Sequence, residues 1–169
     1  MKYENIINEL LRDKEIFKNH LSGLKKDEYL WKPREDKWSL LEIVCHLYDE
    51  EREDFRARTK HVLENPNDPL PTIDPPGWVH ERKYMQQNYD EMLNKFLDER
   101  EQSVKWLQSI VNPKWDNVYN HPKFGEMTAK MFLCNWLAHD YLHFRQILFL
   151  KFDYLKFITN ENLNYAGKW

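Results

Sequence analysis

Four long stretches in which apolar residues return every third or fourth position confine this chain to a helical fold, because that spacing lines one face of a helix but scatters over both faces of a strand. The first carries Ile6, Ile7, Leu10, Leu11, Phe17 and Leu21 and closes at Ser22-Gly23, a pair suited to ending a helix. The second opens at Ser39-Leu40-Leu41-Glu42, a capping box in which the serine and glutamate side chains each satisfy a backbone donor of the other. It runs through Ile43, Val44, Leu47 and Phe55 towards Leu63. Its later half, from Asp49 to Arg58, is heavily charged; that run predicts a solvated face and spaces Asp54 and Arg58 for an i,i+4 pair. The third stretch spans about Tyr84 to Ile110 and stops at Asn112-Pro113. The fourth spans about Met127 to Leu150 and is apolar on more than one face, which predicts central burial or a second contact such as a homodimer interface.

The connections are long. Five of the eight prolines, at 66, 69, 71, 75 and 76, fall between Asn65 and Lys83, so that segment reads as a crossover loop joining helices that are not simple antiparallel neighbours. Lys114 to Gly125 reads as a second loop, and Lys151 to Trp169 as an aromatic tail without clean periodicity. A length of 169 residues without internal repeats suits one hydrophobic core. Only four glycines and a 41% hydrophobic composition leave little room for a loop-dominated β-fold. The expectation is an all-α protein, a four-helix bundle with long connecting loops, forming one domain over residues 1–169.

A formal charge of -3 with no basic stripe argues against a nucleic-acid partner. No stretch reaches the roughly 20 apolar residues of a membrane span, and Met1-Lys2-Tyr3-Glu4-Asn5 carries no continuous apolar run of the kind a secretory leader needs. Cys45 and Cys134 lie in apolar helical patterns and are expected as small buried thiols rather than a disulfide scaffold. These features predict a protein of the reducing cytoplasm.

Chemistry concentrates on three histidines. His139 and His143 are four residues apart in the fourth stretch, so their rings share a face, about 40° apart around the axis and one turn apart along it. Trp136, Leu137, Leu142, Ile147 and Leu148 around them predict a largely buried helix, and a buried imidazole needs a polar partner. Two core histidines with hydrogen-bond partners would also satisfy that pattern. His46, amid Leu41, Val44, Cys45 and Leu47 of the second stretch, adds a third candidate ligand. Three protein nitrogens with a position left open describe a reactive metal site, whereas a structural zinc site is closed by a fourth protein ligand.

The residues that surround these histidines resemble a known family. Tyr29-Leu30-Trp31-Lys32-Pro33 and Lys37-Trp38-Ser39-Leu40-Leu41-Glu42-Ile43-Val44-Cys45-His46-Leu47 resemble the second-helix signature of the DinB-like superfamily. His121-Pro122-Lys123-Phe124-Gly125 and Trp136-Leu137-Ala138-His139-Asp140-Tyr141-Leu142-His143-Phe144-Arg145-Gln146-Ile147 resemble its fourth helix and the approach to it. The resemblance implies a four-helix bundle binding one divalent transition metal, zinc or nickel foremost and iron or manganese also admissible, through His46, His139 and His143. It further implies kinship with thiol S-transferases that use bacillithiol or mycothiol, hence a small-molecule thiol and an electrophilic substrate as partners.

Two other functions stay open at this point. In metal-assisted hydrolysis a carboxylate would relay a proton from water activated at the ion, and Glu42 and Glu50, one turn either side of His46, are the candidates. Each has another explanation, Glu42 in the capping box and Glu50 in the charged run. A non-catalytic metal-binding or ligand-binding module is the third reading. Asn135 and Gln146 flank the helix-four histidines and could orient ligands or water. His20, His61 and His121 fall near helix ends or in loops, and Gly77-Trp78-Val79-His80 could fold over the bundle mouth. Neither cysteine shares the ligand face.

Overall fold

The computed structural model describes residues 3–167; Met1 and Lys2 of the polar N-terminus and Lys168 and Trp169 of the aromatic tail lie outside the described residues. Seven helices and one hairpin follow in chain order: α1 (Tyr3–Leu21), α2 (Lys26–Leu30), α3 (Leu40–Asp49), α4 (Ala57–Glu64), α5 (Pro75–Glu81), α6 (Tyr89–Ser109), β1 (Val118–His121), β2 (Gly125–Thr128) and α7 (Ala129–Thr159). A π-helical stretch, Glu50–Arg56, joins α3 to α4 without a break, so the two form one long helix. That helix, α1, α6 and α7 make a four-helix bundle in which α1 and the α3–α4 helix each pack against both α6 and α7.

Local chemistry explains where each element begins. Ser39 and Glu42 complete the predicted capping box, with Ser39 N donating to Glu42 Oε2 at 2.8 Å and Glu42 N to Ser39 Oγ at 3.3 Å. The third long helix starts at Tyr89 rather than Tyr84. Lys83 has a left-handed backbone (φ 49°) that breaks the path, Tyr84–Gln86 form one 3-10 turn, and the Asn88 side chain caps the new start. The crossover segment is not wholly irregular, since Asp74 caps α5 and Pro75 and Pro76 occupy its first turn, where a missing N–H costs nothing. The predicted second loop contains the β1–β2 hairpin, paired from Val118–Thr128 to His121–Gly125, and Gly125 (φ 72°) supplies its turn. The last helix extends nine residues past Leu150 to Thr159, claiming half of the aromatic tail, and ends at Asn160 in the left-handed region (φ 52°).

The core falls into two apolar halves. One gathers Phe17, Leu21, Ile43, Leu47, Phe96 and Leu150; the other gathers Ile6, Leu10, Val62, Val104, Leu133 and Trp136. Between them each long helix contributes a buried charge: Asp13 from α1, Glu51 from the π-stretch, Arg100 from α6 and Asp140 from α7. The predicted solvated face of the second helix is therefore partly an interior one, for Asp49, Glu50 and Glu51 are all buried. The expected Asp54–Arg58 pair forms, with Arg58 Nε 3.0 Å from Asp54 Oδ1. Cys45 is buried as expected, but Cys134 is exposed. No helix among the described residues is long and apolar enough to cross a membrane.

Candidate metal centre

His46 projects from the last turn of α3, and His139 and His143 from the middle of α7. The three rings meet. His139 Nε2 lies 3.3 Å from His46 Nε2 and 3.0 Å from His143 Nε2, and one ligand nitrogen from each ring lies within 4.8 Å of the others. His46 and His143 are buried and His139 is half-buried. Nitrogens bound at about 2.0–2.1 Å to one tetrahedral ion stand roughly 3.3 Å apart, so the spacing suits a shared metal.

The ring chemistry points the same way. Burial, reinforced by the neighbouring His143, lowers the pKa of His46 to about 3. Burial with His143 and His46 lowers His139 to about 2. Burial lowers His143 to about 4, opposed by a hydrogen bond with Gln146. All three are thus neutral at pH 7, the form that binds metal. His46 Nδ1 and His143 Nδ1 are buried without a hydrogen-bond partner. In the tautomer that puts each ring proton on Nδ1, three Nε2 lone pairs face one another, and a cation at the convergence point would resolve that repulsion.

The surrounding residues hold the rings in place. Trp38 packs 4.8 Å from the His46 ring, and Phe55 packs 4.8 Å from the His139 ring. The π-stretch turns Glu51 and Phe55 towards α7, a placement consistent with the frequent use of π-turns at functional sites. Glu50 Oε1 lies 4.0 Å from His46 Nδ1, behind the ring as seen from the convergence point, and lacks a hydrogen-bond partner of its own. Burial and the charge of Asp54 raise the proton affinity of Glu50.

The other predicted residues sit as follows. Glu42 is engaged by Ser39 and by Lys32, whose Nζ lies 2.7 Å from Oε2. Gln146 borders His143 and the adjacent cavity. Asn135 is exposed and donates to Met131 O of its own helix at 2.7 Å, although it also edges a smaller cavity beside His139. Trp78 is buried in the core at α5 with Arg82 stacked on it, so Gly77–His80 packs on α3.

Sequence reasoning missed the charged layer beneath the histidines. Arg100 donates from Nη1 and Nη2 to both Asp140 oxygens, from Nε to Glu51 Oε1 at 3.0 Å, and from Nη1 to Leu10 O at 3.2 Å. Trp136 Nε1 donates to the other Glu51 oxygen at 2.9 Å. One guanidinium therefore ties all four long helices together, one residue away from His139.

Two openings reach the histidines. A cavity of about 620 Å³ meets His139 and His143 beside Leu142, Arg145, Gln146 and Phe149. A cavity of about 260 Å³ meets His139 from the hairpin side, past Phe55, Arg58 and Phe124.

The sequence matches the DinB superfamily over residues 9–147, most of the chain. This protein belongs to the DinB superfamily. Its fold is also that of a solved DinB-like structure, YfiT from Bacillus subtilis, with a TM-score of 0.77 over 88% of this chain and 85% of that one at 16% identity. YfiT is described as a probable metal-dependent hydrolase with an unusual four-helix bundle topology. A comparison with curated proteins found no match. The three histidines of this DinB superfamily member fall within the matched segment, one on the α3–α4 helix and two on α7.

Proposed function

We propose that this protein is a metal-dependent enzyme that conjugates a low-molecular-weight thiol to an electrophilic small molecule, with His46, His139 and His143 holding one divalent transition-metal ion. The observation that carries this reading is the convergence of three neutral imidazole nitrogens beside an open cavity. An all-nitrogen donor set suits zinc or nickel, and iron or manganese also accept it. An ion held by three nitrogens with an exchangeable position lowers the pKa of a thiol that reaches it and so supplies a thiolate at neutral pH.

The chain's own part is to hold and to shield. The Arg100 layer fixes the axial position of α7 against the second helix, so rings from two helices meet at one point. Glu50 stands 4.0 Å behind His46 Nδ1, beyond hydrogen-bond reach, where a small shift would let its carboxyl accept from that ring as outer carboxylates do for ligating imidazoles. Phe55 and Trp38 wall the rings, while the exposed Leu142 and Phe149 give the cavity apolar sides. No protein nucleophile is required, which agrees with a buried Cys45 whose thiol is pushed up to about 12 by burial and by Asp49.

Hydrolysis at the same ion is the second reading, favoured by the description of YfiT. It calls for a carboxylate on the open side of the site. Glu42 is engaged by Ser39 and Lys32, and Glu50 stands behind His46, which leaves Asp54, paired with Arg58, as the carboxylate that lines an opening onto His139. Elemental analysis combined with a thiol-conjugation screen, with and without added metal, tests the proposal. Metal-dependent consumption of thiol and electrophile together supports it. Thiol-independent ester or amide cleavage transfers the site to hydrolysis, and loaded protein that turns over neither substrate is a binding module.

A thiol substrate fits the reducing cytoplasm expected from the sequence. Tyr141, Leu148 and Leu155, exposed at heptad spacing on the outer side of α7, are the surface on which a homodimer would close, and light scattering of the purified protein tests that pairing.

A further inference from the structure

The cavity at the histidines is one end of a longer trough. It shares Gln146 and Phe149 with a neighbouring cavity of about 380 Å³ that is walled by Trp38, Lys37 and Arg34. That cavity in turn shares Pro33 and Asp153 with one of about 670 Å³ under Trp31 and Phe157. The helix dictates this continuity. His139, His143, Gln146, Leu150, Asp153 and Phe157 recur at alternating spacings of four and three, which keeps them on one stripe of α7. At about 1.5 Å per residue, the stripe from His143 to Phe157 is roughly 21 Å long.

The charges along the trough favour an anion. Arg145 borders the histidine end, Arg34 and Lys37 the middle, and Lys156 the far end, against Asp153 and Glu161. Arg34 and Lys37 pair only with the exposed Asp36, contacts that water screens and a bound anion can replace. This cationic surplus lines one groove of a chain whose net charge is -3. At the far end the Trp31 and Phe157 rings stand 5.6 Å apart, and Asn160, Asn162 and Asn164 edge the same cavity. Aromatic faces beside side-chain amides recognise a flat, hydrogen-bonding ring.

We infer that the trough along α7 binds an elongated anionic substrate about 20 Å long, with its reactive end at the histidines, its anionic groups along Arg34, Lys37 and Lys156, and a ring-bearing head on Trp31 and Phe157. The inference rests on the proposed metal site only for which end reacts. Binding in the trough itself is independent of the ion.

Coenzyme A, pantetheine and cysteamine test it by isothermal titration calorimetry, because they present one kind of thiol on progressively shorter and less charged molecules. Coenzyme A is expected to bind about tenfold or more tighter than pantetheine, with an advantage that shrinks as salt rises. Lys156→Glu, an exposed change, and Trp31→Leu should each reduce the ratio of the two affinities by about fivefold or more. Equal affinity for coenzyme A and pantetheine, or a ratio unaltered in both variants, would overturn the inference. Repeating the titrations on metal-free protein separates the two proposals. A preference for coenzyme A that persists there, while no thiol perturbs the bound ion of a cobalt-substituted sample, keeps the trough and removes the thiol chemistry. Thiols that do perturb the cobalt spectrum without any preference for length or charge remove the trough and keep the chemistry.

Discussion

Arg100 grips Asp140 through two parallel hydrogen bonds of 2.6 and 2.8 Å in a layer where both side chains are almost wholly removed from solvent. Asp140 neighbours His139 on α7, and Arg100 also holds Glu51, five residues beyond His46. The ion network and the histidine cluster are thus two adjoining layers of one structure.

Removing the guanidinium leaves two buried carboxylates uncompensated. Arg100→Ala should lower the unfolding free energy by about 3–5 kcal/mol, as breaking a buried ion pair does. Replacing the hydrogen-bonded triad together, with Arg100→Met, Glu51→Leu and Asp140→Leu, should recover much of that loss yet leave metal affinity depressed. Urea titration reads the first effect and metal competition the second. A loss below about 1 kcal/mol for Arg100→Ala would show that the layer is not the clamp described above.

Metal content should track the rings individually. His143→Ala and His139→Ala are each expected to abolish stoichiometric binding, because two remaining nitrogens cannot hold an ion against buffer and chelator. If metal loading draws Glu50 into a bond with His46 Nδ1, Glu50→Gln, which keeps the shape but removes the ionisable group, should reduce affinity roughly 10–100-fold. Full metal occupancy in His143→Ala would contradict the assignment of ligands.

The positions of the histidines were legible in the sequence, and those of the buried charges were not. Helical spacing and the ring of apolar neighbours placed His46, His139 and His143 on inward faces, and the capping box fixed the start of α3. The run from Asp49 to Arg58 misled because charge density outweighed phase. Glu51 follows Leu47 by four residues, Arg100 follows Phe96 by four, and Asp140 follows Trp136 by four, so each sits in register with the core. A charge at an apolar phase is the signal, and it becomes convincing only when a second helix offers the opposite charge. The hairpin and α5 were hidden for another reason: prolines in a first helical turn and four-residue strands leave too short a pattern to detect.

The histidines should make the metal-free protein more sensitive to acid. Their folded-state pKa values, about 3, 2 and 4, lie below the ordinary 6.5, so between about pH 6.5 and pH 4 the unfolded chain binds more protons than the folded one. The histidine contribution to stability therefore rises with pH across that window and is lost as pH falls through it. Asp13, Asp140 and Glu50, which burial raises to about 6, 7 and 8, act in the opposite sense and lose their contributions as pH rises, so the histidine part is read as the difference between the protein and a histidine variant. Thermal unfolding of metal-free protein and of His139→Gln should differ in slope, the variant gaining stability relative to the native chain as pH falls; an identical slope would assign the acid sensitivity elsewhere.

The two thiols should differ sharply in reactivity. Cys134 is exposed and Cys45 is buried with its pKa pushed up to about 12, so a disulfide reagent should modify native protein at Cys134 and reach Cys45 only in denaturant. Rapid labelling of both in the native state would mean that the α3 core opens readily.

The π-stretch makes chain length part of the site. Such a stretch accommodates an extra residue within a helix, so the same number of residues wound as a uniform α-helix would carry α4 out of phase with α3. Every side chain beyond the stretch would then swing about 100° relative to those before it, and His46 and Phe55 could no longer both face α7. Deleting one residue, for instance Arg52, removes the extra residue and the wide turn together, so a shortened protein that is more regular in circular dichroism yet still binds metal is the expected outcome, and one empty of metal would refute it. At the native chain length, regularity and reactivity are set against each other in this one helix, and its irregular turn records which of them prevailed.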